Sequence, residues 1–189
     1  MKAPILVVLA AAALVAGCAE KTRYGDARAV ETVSNQFGST DLQMMAESMA
    51  RSMLQAPVIA SSNLPILTVQ EVRNKTSEYI DTRAITDSIR VELQKGGRVR
   101  FAVDAAGMNP QVEELKRQQS GLYAKDHAAE MGQMVGAQYR LEGNIMSIVK
   151  QVRDTKDVYY KLNLQLWNIR NGLLEWSDEK EIRKTTTKG

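Results

Sequence analysis

Apolar residues that recur every three or four positions predict a first long helix over residues 42–53. Ser39 or Thr40 suits the helix N-cap, and Asp41 suits the positively polarised first turn. The apolar face consists of Leu42, Met45, Ala46, Met49, Ala50 and Met53. Methionine-rich faces also serve as adaptable binding surfaces, but we expect this one to pack against a sheet. Residues 29–36 alternate weakly, as in a short edge strand.

A strand, a helix and a second strand are predicted next along the chain. Residues 66–72 begin with apolar side chains on both faces, which is typical of a central strand. Asp81 or Thr82 then caps a helix with one apolar face, and Gly96 lies where a C-cap glycine ends such a helix. Residues 98–103 form the following strand. This order indicates a crossover unit between parallel strands.

Two shorter helices are expected after that unit. Pro110 is suited to the first helical position and predicts a surface helix that runs to Gln119. Residues 125–135 predict a fourth short helix, which carries His127 beside Asp126. A general base needs an orienting partner and a nucleophile within reach. The sequence indicates neither, so we expect a structural or exposed histidine.

The last third of the chain has the alternating pattern of long β-strands. Residues 139–149 and 158–167 alternate apolar and polar side chains and are joined by a polar hairpin tip. Asn171-Gly172 is a strong hairpin signal before a last strand, and residues 184–189 are expected to fray. The fold class is therefore α+β, with an antiparallel, partly mixed β-sheet and helices on its faces.

The beginning of the chain has the parts of a secretory signal: a lysine, an apolar run over residues 3–15 and a small-residue end. Ala16 and Gly17 directly precede Cys18, as in a bacterial lipobox, so we expect Cys18 to carry diacylglycerol and an N-acyl chain. The alternative is an ordinary signal peptide followed by an unpaired thiol. The first interpretation divides the chain into a signal peptide (1–17), a lipidated N-terminus with a short tether (18–29) and a single globular α+β domain (30–189).

Composition excludes several classes of function. The net charge is only +3, and no block of lysine and arginine indicates a nucleic-acid partner. The chain has one cysteine and one histidine, which excludes a zinc site built from these residues and leaves no catalytic triad unless His127 acts alone. We expect no cofactor, no metal and no small-molecule substrate.

A glycan hydrolase with paired carboxylates is a further alternative. Asp87 with Glu92, or Glu113 with Glu114, would supply the pair. Such pairs arise by chance in any charged helix, and we expect that the protein is not an enzyme.

Several long and unusual stretches resemble the LpoB family of penicillin-binding protein activators. They are YGDA (24–27), TVSNQFGSTD (32–41), VRNKTSEYIDT (72–82) and ITDSIR (85–90). The resemblance implies a fold related to the N-terminal domain of TolB. It also implies a monomeric, non-enzymatic regulator that docks on a bifunctional class A penicillin-binding protein and stimulates peptidoglycan synthesis.

The resemblance further implies a location at the periplasmic face of the outer membrane, through the lipid on Cys18. Ala19 stands where an aspartate would favour retention in the inner membrane. The tether of 11 residues reaches about 40 Å at most. The best-known members of the family instead have a long proline-rich segment at this place. The short tether leaves three possibilities. The partner projects far into the periplasm, or the protein stays in the inner membrane, or it is a structural or assembly lipoprotein of another envelope machine, such as a secretion or surface-fibre apparatus.

Interface anchors are commonly aromatic residues and arginines. On that ground, five residues at predicted exposed or loop-adjacent positions are candidates for partner binding. They are Tyr79, Arg83, Arg98, Arg100 and Tyr123.

Overall fold

The computed structural model describes residues 22–188 and arranges them as one mixed β-sheet with four helices. The predicted signal peptide, the lipidation site at Cys18 and the first tether residues lie outside the described residues. The helices are α1 (Ser39–Gln55), α2 (Pro57–Ala60), α3 (Thr82–Lys95) and α4 (Ala105–Gln118). The strands are β1 (Ile66–Val69), β2 (Arg73–Lys75), β3 (Arg100–Phe101), β4 (Tyr139–Val152), β5 (Thr155–Asn168) and β6 (Leu174–Thr187). None of these helices is long and apolar enough to cross a membrane.

The sheet has the order β3-β1-β4-β5-β6, and β2 pairs with β4 further along that strand. Both β3 and β4 run parallel to β1, whereas β4, β5 and β6 form an antiparallel meander. The predicted crossover unit, central strand and C-terminal meander are confirmed. The chain passes from β1 to its neighbour β3 on one side, and then from β3 back past β1 to β4 on the other side, so the two crossovers run in opposite directions. Crossovers between parallel strands are right-handed. The helices of the two crossovers, α3 and α4, therefore lie on opposite faces of the sheet.

The core lies between α1, α3 and one face of the meander. Met45, Met49 and Met53 are buried together with alternate residues of β5, such as Leu162 and Leu164. The methionine face of α1 is therefore packing surface, as expected. Ile85, Ile89 and Leu93 bury the predicted face of α3 in the same cluster.

The N-terminus of α1 differs from the prediction. The N-cap is Gly38, whose N–H donates to the Asp41 carboxylate at 2.9 Å. Ser39 and Thr40 are the first helical residues, and both donate to the carboxylate of Glu31, from the Ser39 hydroxyl and the Thr40 N–H. The edge strand predicted over residues 29–36 is wrong, because this segment supplies the helix with a cap instead of pairing with the sheet.

Strand lengths were also predicted incorrectly. β1 has only four residues and ends at Val69, and β2 follows as a separate strand in register with residues 144–146 of β4. β3 has only two residues, because α4 begins at Ala105. The predicted fraying after residue 184 is wrong, since β6 pairs with β5 as far as Thr187.

Two helix predictions were wrong in the region between β3 and β4. Pro110 lies inside α4, because the Asp104 carboxylate accepts the Gly107 N–H at 2.8 Å and starts the helix earlier. Residues 125–135 form turns, and Gly132 has a positive φ of 82° that interrupts any helix. His127 therefore lies in an exposed loop.

Candidate docking surface

The domain has two distinct ends, set by the direction of its strands. α1 runs along β6, with Asp41 near its start bound to Lys184 and Ser52 near its end bound to Asp178. The chain therefore enters the domain at the end towards which β1 and β6 both run, which we call the near end. The opposite end, which we call the far end, holds the loops 61–65, 96–99, 119–138 and 169–173. The 17 residues of α1 place the two ends about 25 Å apart.

A buried polar cluster fixes the chain to the sheet at the near end. Asp41 is 3% exposed and pairs with the Lys184 ammonium, which also donates to the Gln36 carbonyl at 2.7 Å. The Tyr160 hydroxyl donates to the Asn35 carbonyl at 3.0 Å and to Glu78. Burial, followed by the bond to Glu78, raises the pKa of Tyr160. Lys184 and Tyr160, two side chains of the sheet, thus hold the segment that leads in from the tether.

Glu31 adds an outer attachment for the same segment. Its carboxylate accepts the Ser39 hydroxyl at 2.9 Å and the Thr40 N–H at 3.2 Å, while its own N–H donates to the Thr40 hydroxyl. The bond from Ser39 is the main reason that the pKa of Glu31 is lowered. Glu31 thus holds the segment that precedes α1 against the first turn of that helix.

Two of the five candidate residues, Tyr79 and Arg83, lie at the near end. Tyr79 is almost fully exposed beside a shallow groove floored by Phe37 and Leu42, between the N-termini of α1 and α3. Arg83 lies on the first turn of α3 and lines a cleft of about 390 Å³ between α3, the end of β1 and the start of α4.

The charges in that cleft largely neutralise one another. Arg90 binds Asp87 at 3.1 Å and Asp104 at 2.8 Å, and Arg83 lies 4.0 Å from Asp87. Glu71 adds a third carboxylate to the lining. The Gly107 N–H and the nearby Arg90 lower the pKa of Asp104, so this carboxylate is ionised. With three carboxylates and two guanidinium groups, the cleft does not favour an anion.

The other three candidates, Arg98, Arg100 and Tyr123, lie at the far end or on the edge strand beside it. All three are exposed. Arg98 donates to the Ala60 carbonyl at 2.7 Å, which joins the loop after α3 to the end of α2. The Arg100 N–H donates to the Pro65 carbonyl at 3.0 Å. The structure thus separates the five candidates into a near-end group, Tyr79 and Arg83, and a far-end group of the other three.

The far end also carries many exposed apolar side chains, of which the sequence reasoning identified only Tyr123. They come from three loops and the first residue of β6. The residues are Leu64, Leu122, Tyr123, Met131, Met134, Val135, Ile169, Leu173 and Leu174. The Ile169 N–H donates to the Gln138 carbonyl and the Gln138 N–H donates to the Ile66 carbonyl, at 3.0 and 2.8 Å, so the loops meet at this end. The sequence signal for this surface was the loss of regular apolar spacing over residues 119–138.

The sheet face opposite the core is occupied by its own ion pairs near the tip of the meander. Tyr159 donates to Glu181, Arg183 lies 5.7 Å from the centre of the Tyr159 ring, and Lys161 binds Glu179 at 3.1 Å. The bond to Glu181 raises the pKa of Tyr159 to about 12. The charged groups on this part of the face are satisfied within the domain.

The structure offers little for catalysis or metal binding. In residues 22–188, no three histidine, cysteine, aspartate or glutamate side chains are grouped so as to hold a metal ion. His127 contacts only Asp126 among acidic residues, at 3.6 Å on an exposed loop. Of the carboxylates considered for a hydrolase, Asp87 and Glu92 pair with basic neighbours on α3 and Glu114 with one on α4. These are ordinary surface ion pairs.

A family model described as peptidoglycan-synthase activator LpoB matches residues 41–182, well over half of the chain. The chain belongs to the LpoB family. This is a family of activators rather than of enzymes, and the match confirms the resemblance drawn from the sequence. The matched region begins at Asp41 and ends at residue 182 in β6, so it contains the sheet and the helices, apart from the start of α1 and the end of β6, together with the far-end loops.

Solved LpoB domains are similar to this chain. The C-terminal domain of LpoB from Salmonella enterica is 22% identical, with a TM-score of 0.49, over 75% of this chain and 98% of that one. The corresponding domain from Escherichia coli is 23% identical, with a TM-score of 0.48, over the same shares of the two chains. No curated protein sequence matches the chain.

Proposed function

We propose that this chain is an outer-membrane lipoprotein that binds a bifunctional class A penicillin-binding protein and stimulates its synthesis of peptidoglycan. The observation that carries the proposal is the match of residues 41–182 to the LpoB activator family. The mechanism is a population shift: the activator binds the active conformer of the synthase more tightly than the resting conformer. Equal affinity for both conformers would change nothing.

The lipid on Cys18 supplies the membrane anchor in this proposal. Each buried methylene of an acyl chain contributes about 0.8 kcal/mol, so two or three chains hold the protein stably on the membrane. Cys18→Ser therefore moves the protein from the membrane fraction to the soluble periplasmic fraction. Recovery of that variant with the outer membrane would contradict the anchor.

The short tether limits how far the domain extends from the membrane. The chain between Cys18 and Glu31 reaches about 45 Å when fully extended, and α1 carries the domain about 25 Å further to its far end. The partner must therefore project well into the periplasm. Such a partner is compatible with an activator whose docking residues lie away from the tether.

The five candidate residues form two separable groups, and we propose the far-end group of Arg98, Arg100 and Tyr123 as the contacts with the synthase. Charge reversal of Arg98 and Arg100 weakens binding to the synthase, whereas reversal of Arg83 serves as a near-end comparison. Both changes leave the melting temperature unchanged, because these side chains are exposed. Unaltered binding after reversal of Arg98 and Arg100 removes them from the interface.

The proposed function is tested with the full chain, purified in detergent, and each class A synthase of the same cell. Capture of a synthase, with faster glycan polymerisation by the captured enzyme, is the expected result. Capture without faster polymerisation would indicate binding without activation. No capture of any class A synthase would refute the proposal.

The second candidate is an assembly lipoprotein of another envelope machine, which the short tether favours. The two functions differ in oligomeric state, because an activator is expected to be a monomer and an assembly component a homo-oligomer. Light scattering of the detergent-solubilised chain distinguishes them.

A further inference from the structure

The far end combines two features that are typical of an interaction surface. Its connection between α4 and β4, residues 119–138, is a loop of a length that is uncommon without a functional role. Exposed apolar side chains on this loop are joined by Ile169, Leu173 and Leu174 at the β5–β6 hairpin. Apolar patches of this kind on a soluble domain mark sites of interaction.

The loop is held in place by side chains of α4. The Gln118 amide oxygen accepts the Ala129 N–H at 2.9 Å, and the Gln119 amide donates to the Ala129 carbonyl. These bonds tie the middle of the loop to the C-terminus of α4, and the Gln138 N–H ties its end to β1. A loop ordered in this way presents its apolar residues without a large entropy loss on binding.

The charged side chains at the far end indicate which kind of partner this surface binds. Arg98, Arg100 and Arg170 lie in the far-end loops or on the edge strand beside them, and within residues 22–188 no carboxylate lies within 4.0 Å of any of the three. Guanidinium groups beside an apolar centre favour a protein surface with acidic residues at its rim.

The position of the tether indicates which protein reaches this end. The chain that precedes the domain enters at the near end, where Asp41, Lys184 and Tyr160 hold it against the sheet. The predicted lipid anchor is therefore attached to the domain at its near end, and the far end is the part of the domain that reaches furthest from the outer membrane. A synthase held in the inner membrane, on the other side of the periplasm, meets the far end first.

We infer that the far-end surface, formed by the nine apolar residues of the loops and by Arg98, Arg100 and Arg170, is the docking face for the peptidoglycan synthase. It receives an apolar patch with an acidic rim on that enzyme. The inference rests on the proposed function and adds the location and chemistry of the contact. Tyr79 and Arg83, at the near end, are then outside the interface.

The test replaces apolar residues at the far end with charged ones. Ile169→Asp with Leu173→Asp changes side chains that are 51% and 59% exposed. Ile148→Asp with Val152→Asp is the matched control, because those side chains are 56% and 57% exposed and lie near the tip of the β4–β5 hairpin, away from the far end. Both double variants are made in the full chain and purified in detergent.

The Kd for the synthase is measured by biolayer interferometry, together with the melting temperature of each variant. We expect the far-end variant to bind at least about 30-fold more weakly, as for loss of an interface hot spot, and the control to bind within about threefold of wild type. Leu122→Asp, on the long loop, is a second far-end variant that does not alter the β5–β6 hairpin. Arg98→Glu with Arg170→Glu should slow association and reduce its dependence on salt.

The outcomes separate this inference from the proposed function. If the wild-type chain binds and both far-end variants bind within threefold of it, the docking face is wrong while the activator function stands. An equal loss in the matched control also overturns the inference. If the wild-type chain binds no class A synthase, both proposals fail. A dimer of the wild-type chain that the far-end variant dissociates would assign the surface to a second copy and overturn the docking face.

Discussion

The buried pair of Asp41 and Lys184 should be the most sensitive polar contact of the domain. It joins the first turn of α1 to β6, between residues that are 143 positions apart in the chain. The side chains are 4% and 12% exposed, so neither charge can regain full hydration when its partner is removed. We consider Lys184→Met, Asp41→Asn and the double variant.

The expected magnitudes follow from this burial. Removing one partner of a buried ion pair costs about 3–5 kcal/mol. In Lys184→Met the Asp41 carboxylate keeps its bond from the Gly38 N–H at 2.9 Å and its place at the positive end of α1. We therefore expect the free energy of unfolding to fall by about 3 kcal/mol, the lower end of this range. In Asp41→Asn the ammonium keeps the Gln36 carbonyl, and we expect about 2–3 kcal/mol. The double variant leaves no unpaired charge and should cost less than the sum.

Unfolding by urea, followed by far-ultraviolet circular dichroism at pH 7, measures all three variants. For a domain of this size, about 1 kcal/mol corresponds to about 2–4 °C in melting temperature. Lys184→Met should therefore melt about 6–12 °C below wild type. The coupling energy from the double-mutant cycle should be about 1.5–3 kcal/mol, within the range for residues in contact.

Additive costs of the two single substitutions would refute this reasoning. If the two single costs add to within about 0.5 kcal/mol in the double variant, the side chains act independently. A cost below about 1 kcal/mol for Lys184→Met would likewise show that the pair behaves as an exposed surface ion pair. Ser52→Ala, at the other end of α1, is a control for general loosening of the helix on β6.

Three further changes test other parts of the fold. Gly143→Ala should destabilise the domain by about 1–3 kcal/mol, because the new Cβ would lie 2.2 Å from the Asn163 carbonyl oxygen. Unfolding by urea measures this change, and Gly136→Ala, whose Cβ would meet nothing within 4 Å, is the control. Asp104→Ala should cost about 1–2 kcal/mol at pH 7 through loss of the α4 cap. The folded-state pKa of Asp104 lies below its ordinary value of 3.8, so this stabilisation is present above pH 3.8 and is lost as the pH falls through the lowered folded-state pKa. The difference between wild type and Asp104→Ala should therefore narrow below pH 4, and a constant difference would contradict the assigned cap. Tyr159→Phe should leave the urea midpoint almost unchanged in the same melts, because its bond to Glu181 is exposed.

The fold class and the long elements were predictable because their patterns are local and repeated. The methionine face of α1 and the alternation of β5 each place apolar residues on one side over many turns or pleats, so few alternatives bury them. The N-cap at Asp81 was also predictable, because its carboxylate needs only the Ala84 N–H three residues away, at 3.1 Å. The likeness to the N-terminal domain of TolB stays a prediction.

The candidate surface was only partly predictable from the sequence. Arg98 and Tyr123 were identified from their residue types, which are common at interfaces. Leu122, Ile169 and Leu173 were missed because exposure of an apolar residue in a loop depends on whether distant segments cover it. Tyr79 and Arg83 had equally suitable residue types, and only the strand directions placed them at the other end.

The sequence by itself determined the α+β class, the central strand, the meander and the family of this protein. These properties follow from periodicity within a segment and from long stretches of residues that resemble known relatives. The tertiary structure alone decided the pairing of β2 with β4 and the partner of Lys184. Each depends on contacts between segments far apart in the chain, and a local pattern does not specify which distant group will satisfy a charge or a backbone hydrogen bond. The gathering of apolar loops at the far end has the same cause, since the direction of each strand, rather than the composition of each loop, decides which loops meet.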